Sequence, residues 1–453
     1  MKGVPSGLSR RDFLALSAAG AGGGLIAAAP GENTVSPGGG PDAIHVAVVG
    51  FGKQGQVLFD AMKNIPGLHF QAVCDIWGYS RGVAAGLVYG RERRKPKAYV
   101  DIDEMLATEK GLDAVIVATP DHWHAEHTVK CLRAGLHVYC EKMMAHTLDG
   151  AREIVKAAEE TGRVCQIGYQ RRSNPRYRYT LEQLVQRHKI CGRISGFNAQ
   201  WNRSARASQD VPFKPSLSVA PDVLGRYGYR DMHQLLNWRN FRGFGGGPVR
   251  ALACYHIDVL HWFLGGTPRS AMATGDRVVF KGRDVYDTWM GLLEYETPAG
   301  NVSAFFQTLM ASSGTGGFFE RFIGDRSTVT ISENAVWTRI EPSGTLATDP
   351  CWLDLEKRGY VVPVFPESQF FGRNKDRIFS EPSRPLPEYT LPGECNKPAH
   401  QPHLENFFAA IRGEEKPNCD ARTAFATEVM VWNLEAAARE RRIIDFPEDY
   451  LTV

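Results

Sequence analysis

The sequence predicts an α/β protein that begins with a doubly wound parallel sheet and continues into a second α/β domain. Three observations predict it. A glycine-rich turn, Gly50-Phe51-Gly52-Lys53-Gln54-Gly55, joins an apolar strand pattern to a helix-forming run. Strand-length and helix-length patterns then alternate as far as residue 168. From residue 276 onward, strand-like segments follow one another without long helices between them.

Residues 43–49 are a short apolar strand ending at Gly50, and residues 56–62 can begin a helix. Gly50, Gly52 and Gly55 serve three needs: a tight turn, close approach of the main chain to a pyrophosphate, and helix-on-strand packing. Phe51, Lys53 and Gln54 belong to the same cradle. A second strand, residues 69–74, ends at Asp75, 20 residues beyond Gly55. That is the spacing of a carboxylate that accepts hydrogen bonds from the adenosine ribose hydroxyls. An acid there favours NAD over NADP, because it repels a 2′-phosphate. The plainer reading of Asp75 is a helix cap.

Residues 101–108 read as a helix, 114–118 as a buried strand, and 119–124 as a loop entering a helix. Residues 136–140 read as a strand, 148–161 as an amphipathic helix, and 164–168 as a sixth strand. Ligands bind at the carboxyl ends of such strands. Thr119, Pro120, His122, His124, Glu141, Lys142 and Gln170 fall there and are expected to line the cofactor site. His122 and His124 lack a nearby acidic or cysteine partner, so no metal is expected.

In the second half, residues 277–280, 289–296, 302–309, 318–323 and 327–331 read as strands. Residues 352–395 are rich in proline, phenylalanine and charge, a pattern for a wrapping loop or a subunit-contact arm. Residues 403–412 and 421–439 are helical and expected to pack back on the nucleotide domain.

Before all this stands Ser9-Arg10-Arg11-Asp12-Phe13-Leu14, followed by an Ala- and Gly-rich run to residue 29. The pair of arginines ahead of a weakly apolar run reads as a twin-arginine export signal and implies a periplasmic destination. The run has too many glycines for a stable membrane span. The expected divisions are a signal over 1–29, a linker over 30–42, a nucleotide domain over 43–168, a substrate and oligomerisation domain over 169–400, and C-terminal helices over 401–453. Of the net charge of +3, most resides in the first thirty residues, so no nucleic-acid partner is implied. The nine cysteines are scattered without a Cys-x-x-Cys pair, which argues against a disulfide framework or zinc site.

Gly-x-Gly-x-x-Gly, Ala118-Thr119-Pro120 with His124, Glu141-Lys142 after a strand, and Gly245-Gly246-Gly247 before a helix together resemble the Gfo/Idh/MocA family. Its name-givers include glucose–fructose oxidoreductase and inositol dehydrogenase. The resemblance implies a Rossmann domain and a C-terminal α/β domain with a large open, mainly antiparallel sheet. It also implies a homodimer or homotetramer, often formed through that sheet. Family members usually carry Glu-Lys-Pro, with the lysine at the sugar hydroxyl that is oxidised. Lys142 matches that lysine, while Met143 replaces the proline and puts the local turn in doubt. The family's further acid, histidine and acid align with Ala251, Tyr255 and Asp258. The first acid is lost and the histidine is a tyrosine, as in glucose–fructose oxidoreductase. A phenol can relay a proton, so Tyr255 is the expected shuttle and His256, the next residue, the alternative. The two diverge by about 100° on a helix. Arg171, Arg172, Trp201, Trp238, Arg239 and Asp258 are expected to contact substrate, since aromatic faces and arginine forks suit sugar rings and acidic groups.

An exported protein that uses a cytoplasmic cofactor must carry it tightly bound. The leading expectation is therefore an exported NAD(P)-dependent oxidoreductase acting on a carbohydrate or polyol hydroxyl, with the twin-arginine translocase as its export partner. The alternatives are a redox-cycling NAD-dependent glycoside hydrolase or lyase, and a non-catalytic carbohydrate- or cofactor-binding protein.

Overall fold

The computed structural model describes residues 43–312, 317–343, 350–364, 388–393 and 397–453. The expected export signal and linker lie outside the described residues. Six strands form an all-parallel sheet: β1 (Ile44–Val49), β2 (Leu68–Cys74), β3 (Lys97–Tyr99), β4 (Ala114–Val117), β5 (His137–Cys140) and β6 (Cys165–Ile167). Their order is β3-β2-β1-β4-β5-β6. Alternate residues feed two cores. Ala47, Val49, Val115 and Val117 pack on one face, and Val46, Val48, Ala114 and Ile116 on the other. Burial on both faces is why these strands read as continuous apolar runs.

The crossovers are α1 (Lys53–Met62), α2 (Gly78–Glu92), α3 (Ile102–Thr108), α4 (Asp121–Arg133) and α5 (Leu148–Thr161). Asp101 caps α3 by accepting from the N–H groups of Asp103 and Glu104, and Thr147 caps α5 through Gly150 N–H. Strand order reverses between β1 and β4, so a crevice opens at their carboxyl ends. α2 and β3 carry no clear signature in the sequence. Glycines at 78, 82, 86 and 90 interrupt the apolar pattern of α2, which buries only Ser80, Ala84 and Val88. The loop expected over 119–124 is shorter than predicted: α4 begins at Asp121, so His122 and His124 lie in its first turn.

The second domain carries β7 (Ile194–Asn202), β8 (Thr267–Asp276), β9 (Thr288–Thr297), β10 (Gly300–Leu309), β11 (Phe318–Gly324), β12 (Ser327–Ile331), β13 (Arg339–Pro342), β14 (Val362–Pro363), β15 (Tyr389–Thr390) and β16 (Ile444–Asp445). They form one sheet in the order β14-β15-β13-β12-β11-β7-β10-β9-β8-β16. Only β7 and β10 pair in parallel. In β9, Trp289, Leu293 and Tyr295 point inward, while Met290, Leu292, Glu294 and Glu296 face solvent. The inner face packs against α6 (Cys254–Leu264) and α8 (Ala421–Glu440) through Leu260, Phe263 and Leu434. Between these helices in sequence, α7 (Gln401–Ile411) lays Leu404, Phe407 and Phe408 against Leu58 and Phe59 of α1.

Two expectations change. Residues 277–280 are not a strand, because the N–H groups of Val278, Val279 and Phe280 donate to the Asp287 carboxylate instead of a neighbouring strand. The segment expected as a wrapping arm starts in a short helix, Pro350–Lys357, and its described ends join the sheet edge as β14 and β15. Trp352 of that helix stacks on Tyr389 at 5.5 Å.

Candidate active site

The crevice at β1 and β4 continues into a cleft of about 650 Å³ between the two sheets. Its nucleotide end is built from short-range geometry. Gly50 has φ +86°, and a Cβ there would lie 2.7 Å from the Ala118 and Thr119 main chain. A Cβ on Gly55 would lie 2.2 Å from the Gly50 carbonyl oxygen, so this glycine lets α1 close on β1. Gly52 has open space on its Cβ side and starts α1 without a side-chain cap. The leading N–H groups of that helix are thus left for a ligand. Asp75 accepts Phe51 N–H and Trp77 N–H, each at 2.7 Å. Burial raises its pKa above the ordinary carboxyl value. The Ser80 hydroxyl adds a third bond to this carboxylate, which leaves one lone pair for a ribose hydroxyl. The open glycine cradle, free helix N–H groups and carboxylate fit a dinucleotide.

Gly50, Gly52, Lys53, Gln54, Asp75, Thr119, Pro120, His124, Glu141 and Lys142 all line the cleft. Four expected cofactor contacts do not. The Phe51 side chain is buried in the sheet core and offers the site only its main chain. His122 packs edge-on against Tyr229 and Phe244 at 5.5 and 4.7 Å, and burial lowers its pKa to about 3. Gln170 turns away to donate to Glu333 at 3.2 Å. Gly55 works behind the wall through packing.

Where β5 ends, Gln54 Nε2 donates to Glu141 Oε1 at 3.1 Å. A Cβ on Gly168 would approach the Glu141 carboxylate to 3.1 Å, so glycine makes room for that acid. His124 bridges two loops: its Nε2 lies 2.7 Å from the Thr119 carbonyl and its Nδ1 2.6 Å from the Met143 carbonyl. The Lys142–Met143 peptide bond is cis. Lys142 Nζ donates to the Ala251 carbonyl at 2.7 Å. That carbonyl belongs to a π-helical turn, Val249–Ala253, which runs straight into α6. A main-chain oxygen therefore receives the lysine at the position where the resemblance leads one to expect an acid.

Tyr255 enters the cleft from the start of α6. Its ring centroid is 4.5 Å from Lys142 Nζ and 5.7 Å from the Trp201 ring. Its hydroxyl has no hydrogen-bond partner among the described residues. Burial raises its pKa well above that of an ordinary phenol, so it stands in the cleft as a neutral phenol at neutral pH.

The remaining predicted substrate contacts separate into two groups. Trp201, Trp238 and Arg239 line the cleft. Arg171, Arg172, Asp258 and the alternative shuttle His256 do not. His256 Nδ1 meets Glu320 Oε1 at 2.5 Å, fully buried. Arg171 pairs with the same Glu320 and with Glu333, and its guanidinium carbon sits 5.1 Å from the Tyr255 ring. Arg172 forms a two-pronged pair with Asp258. These four residues form buried ion pairs and hydrogen bonds outside the cleft: His256 is turned about 100° from Tyr255 along the helix, and Arg171, Arg172 and Asp258 are taken by partners from distant segments. His127, Asn237 and Tyr286, which the sequence pattern did not single out, also line the cleft, as does Arg203. Arg203 had a signal: it lies two residues beyond Trp201 in an extended run, hence on the same side. Among the described residues no group of three histidine, cysteine or acidic side chains is arranged to hold a metal ion. No described helix is long and apolar enough to cross a membrane.

Comparison with known proteins gives the site its context. Residues 44–169 match the oxidoreductase family with an NAD-binding Rossmann fold, and residues 222–446 match the C-terminal α/β domain of the same family. The chain is 32% identical to 4-carboxy-2-hydroxymuconate-6-semialdehyde dehydrogenase of Sphingobium sp. over 31% of its own length and 43% of the relative's. It is 28% identical to 1,5-anhydro-D-fructose reductase of Ensifer adhaerens over 52% of its own length and 62% of the relative's. It thus spans less than two thirds of either relative. The WlbA dehydrogenase of Chromobacterium violaceum, solved with NADH and UDP-GlcNAcA, shares the fold with a TM-score of 0.64 at 20% identity. That superposition covers 92% of this chain and 100% of the other. With both of its domains matched in order and the glycine cradle in place, the chain belongs to the Gfo/Idh/MocA family of oxidoreductases, and NAD is the cofactor of its Rossmann domain.

Proposed function

We propose that this protein oxidises a secondary hydroxyl of a sugar, glycoside or polyol, or reduces the matching carbonyl. The observation that carries the reading is the meeting of Lys142 Nζ and the Tyr255 phenol, 4.5 Å from nitrogen to ring centre, beside the glycine cradle. NAD, when bound, supplies the hydride acceptor. In the oxidation the carbon gives up hydride, the hydroxyl gives up its proton, and a carbonyl remains. Lys142 exchanges its bond to the Ala251 carbonyl for one to the reacting oxygen and stabilises negative charge developing there. The Tyr255 phenol, without a hydrogen-bond partner among the described residues, passes the proton between that oxygen and solvent. In the reverse direction a neutral phenol is the proton donor. Trp201 and Trp238 contribute aromatic edges to the wall that a sugar ring would meet.

Asp75 supports a preference for NAD over NADP, since its carboxylate stands where a 2′-phosphate would have to fit. The Arg10-Arg11 pair supports export to the periplasm with the cofactor already bound. The solvent-facing Met272, Met290 and Leu292 on the open sheet support a homo-oligomer formed through that face.

The test is single-turnover reduction of the bound cofactor with a panel of sugars and polyols, read by NADH absorbance and product mass. Protein purified without added nucleotide should release NAD(H) on denaturation. Lys142→Met and Tyr255→Phe should retain the cofactor and slow reduction by ~10² or more. Reduction by Tyr255→Phe at the parent rate would remove the tyrosine from the proton path. Glycosidic cleavage without net oxidation would replace the dehydrogenase reading with a redox-cycling one.

A further inference from the structure

Arginines near the cleft fall into two kinds. Arg171 pairs with Glu320 and Glu333, Arg172 with Asp258, Arg250 with Glu435, and Arg283, which lines the cleft, with Asp210. Arg203 and Arg239 also line the cleft, yet among the described residues neither guanidinium has an acidic partner. Asp210 is already engaged by Arg283, His233 and Asn240 at 2.6 to 2.8 Å.

Both unpaired cations are held in place. The Arg203 N–H donates to the Leu309 carbonyl, and its own carbonyl accepts from Ser312 N–H, so the end of β7 is pinned on both sides. Its guanidinium carbon is 5.6 Å from the Trp201 ring, which in turn lies 5.7 Å from Tyr255. Arg239 spreads over Trp238 at 4.1 Å from guanidinium carbon to ring centre. Gly245 lets its main chain in, since a Cβ there would lie 2.8 Å from the Arg239 Cα. Burial depresses the Arg203 pKa and the neighbouring Arg239 charge depresses it further. Two like charges in a partly desolvated wall are unfavourable until something anionic arrives.

We infer that the substrate carries an oxyanion, a carboxylate or phosphoryl group, and that Arg203 and Arg239 bind it. Arginine forks match such planar or tetrahedral oxygens. The Tyr255 and Trp201 rings stand between Lys142 and Arg203, so the anion would be held away from the reacting carbon. The assignment rests on the proposed sugar oxidoreductase for the rest of the ligand, and on the arginines alone for the anion.

NAD-loaded protein is titrated with D-glucuronate, D-galacturonate, glucose 6-phosphate, inorganic phosphate, D-glucose and D-galactose, read by calorimetry and thermal shift. At least one anionic compound should bind tenfold or more tighter than its neutral counterpart. Uronates against the phosphorylated compounds distinguish the two anion sources. Arg239→Gln, at an exposed position, and Arg203→Gln/Arg239→Gln should lose most of that preference. The unliganded double variant should keep its NAD and melt close to the parent, since among the described residues it breaks no ion pair and loses only the stacking on Trp201 and Trp238. Equal binding of neutral and anionic sugars, or a preference that survives the double variant, overturns the assignment. If inorganic phosphate or a uronate stabilises the parent but not the double variant while no sugar or sugar acid reduces bound NAD, the anion site stands and the sugar reading falls.

Discussion

Asp258→Asn separates a substrate contact from a structural one. Asp258 Oδ1 accepts Arg172 Nε at 2.9 Å, Arg172 Nη2 at 2.8 Å and Thr427 Oγ1 at 3.0 Å, and its Oδ2 accepts Arg172 Nε at 3.0 Å. Both side chains are almost fully buried. Asparagine keeps the shape and removes the charge, leaving the Arg172 guanidinium in the interior without a counter-ion. Breaking one side of such a pair costs about 3–5 kcal/mol, against a total stability on the order of 5–15 kcal/mol. The melting midpoint should fall by roughly 5–10 °C. The assay is thermal unfolding of the NAD-loaded protein, with KM measured on the fraction that stays folded. Arg172→Met/Asp258→Leu removes both charges together and should recover most of the loss, because well-packed apolar replacements of a buried pair are near neutral. An Asp258→Asn variant that melts with the parent but shows a raised KM would refute the reasoning and return Asp258 to the substrate. A double variant as unstable as the single one would show that the burden is not charge.

Glu428 of α8 is fully buried between Met144 N–H and the Tyr169 hydroxyl, and burial pushes its pKa up to about 8. Its folded value lies above its unfolded value, so its contribution is complete below the unfolded carboxyl pKa and is lost as pH rises to about 8. Over that window each pH unit removes about 1.4 kcal/mol at most. Glu428→Gln, which cannot ionise, should melt above the parent at pH 8.5 and nearer to it at pH 4.5. A parent melting temperature flat across this range would contradict a neutral Glu428. Arg10→Lys together with Arg11→Lys should leave folded, NAD-bearing protein in the cytoplasmic fraction, and an unchanged periplasmic yield would remove the export proposal.

Much of the nucleotide half was legible because its determinants are local. A strand, three glycines at fixed spacing and a helix are contiguous, so chain geometry alone places Gly52 at the start of the helix and Asp75 at the next strand end. Lys142 was legible for the same reason: it follows β5 directly, and every strand end in a parallel sheet opens to one edge. Elements that depend on partners were not legible. β14, β15 and β16 are two-residue strands that exist only where a neighbour pairs with them. Residues 277–280 have strand-like side chains, yet an acid at 287 takes their N–H groups.

The fold class, the glycine-rich turn and the lysine at the strand end can be read from the chain, since each follows from neighbours within a few residues or from a fixed spacing. Which polar residues face the cleft depends on how distant segments pack. Tyr255 and His256 are adjacent, and the helix sends one to the cleft and the other to Glu320. Arg171 and Arg172 looked like anion binders, but their acids come from 149 and 86 positions away. A guanidinium is available to a ligand only when no carboxylate has claimed it, and such pairing is fixed by packing between distant segments, not by the residues on either side.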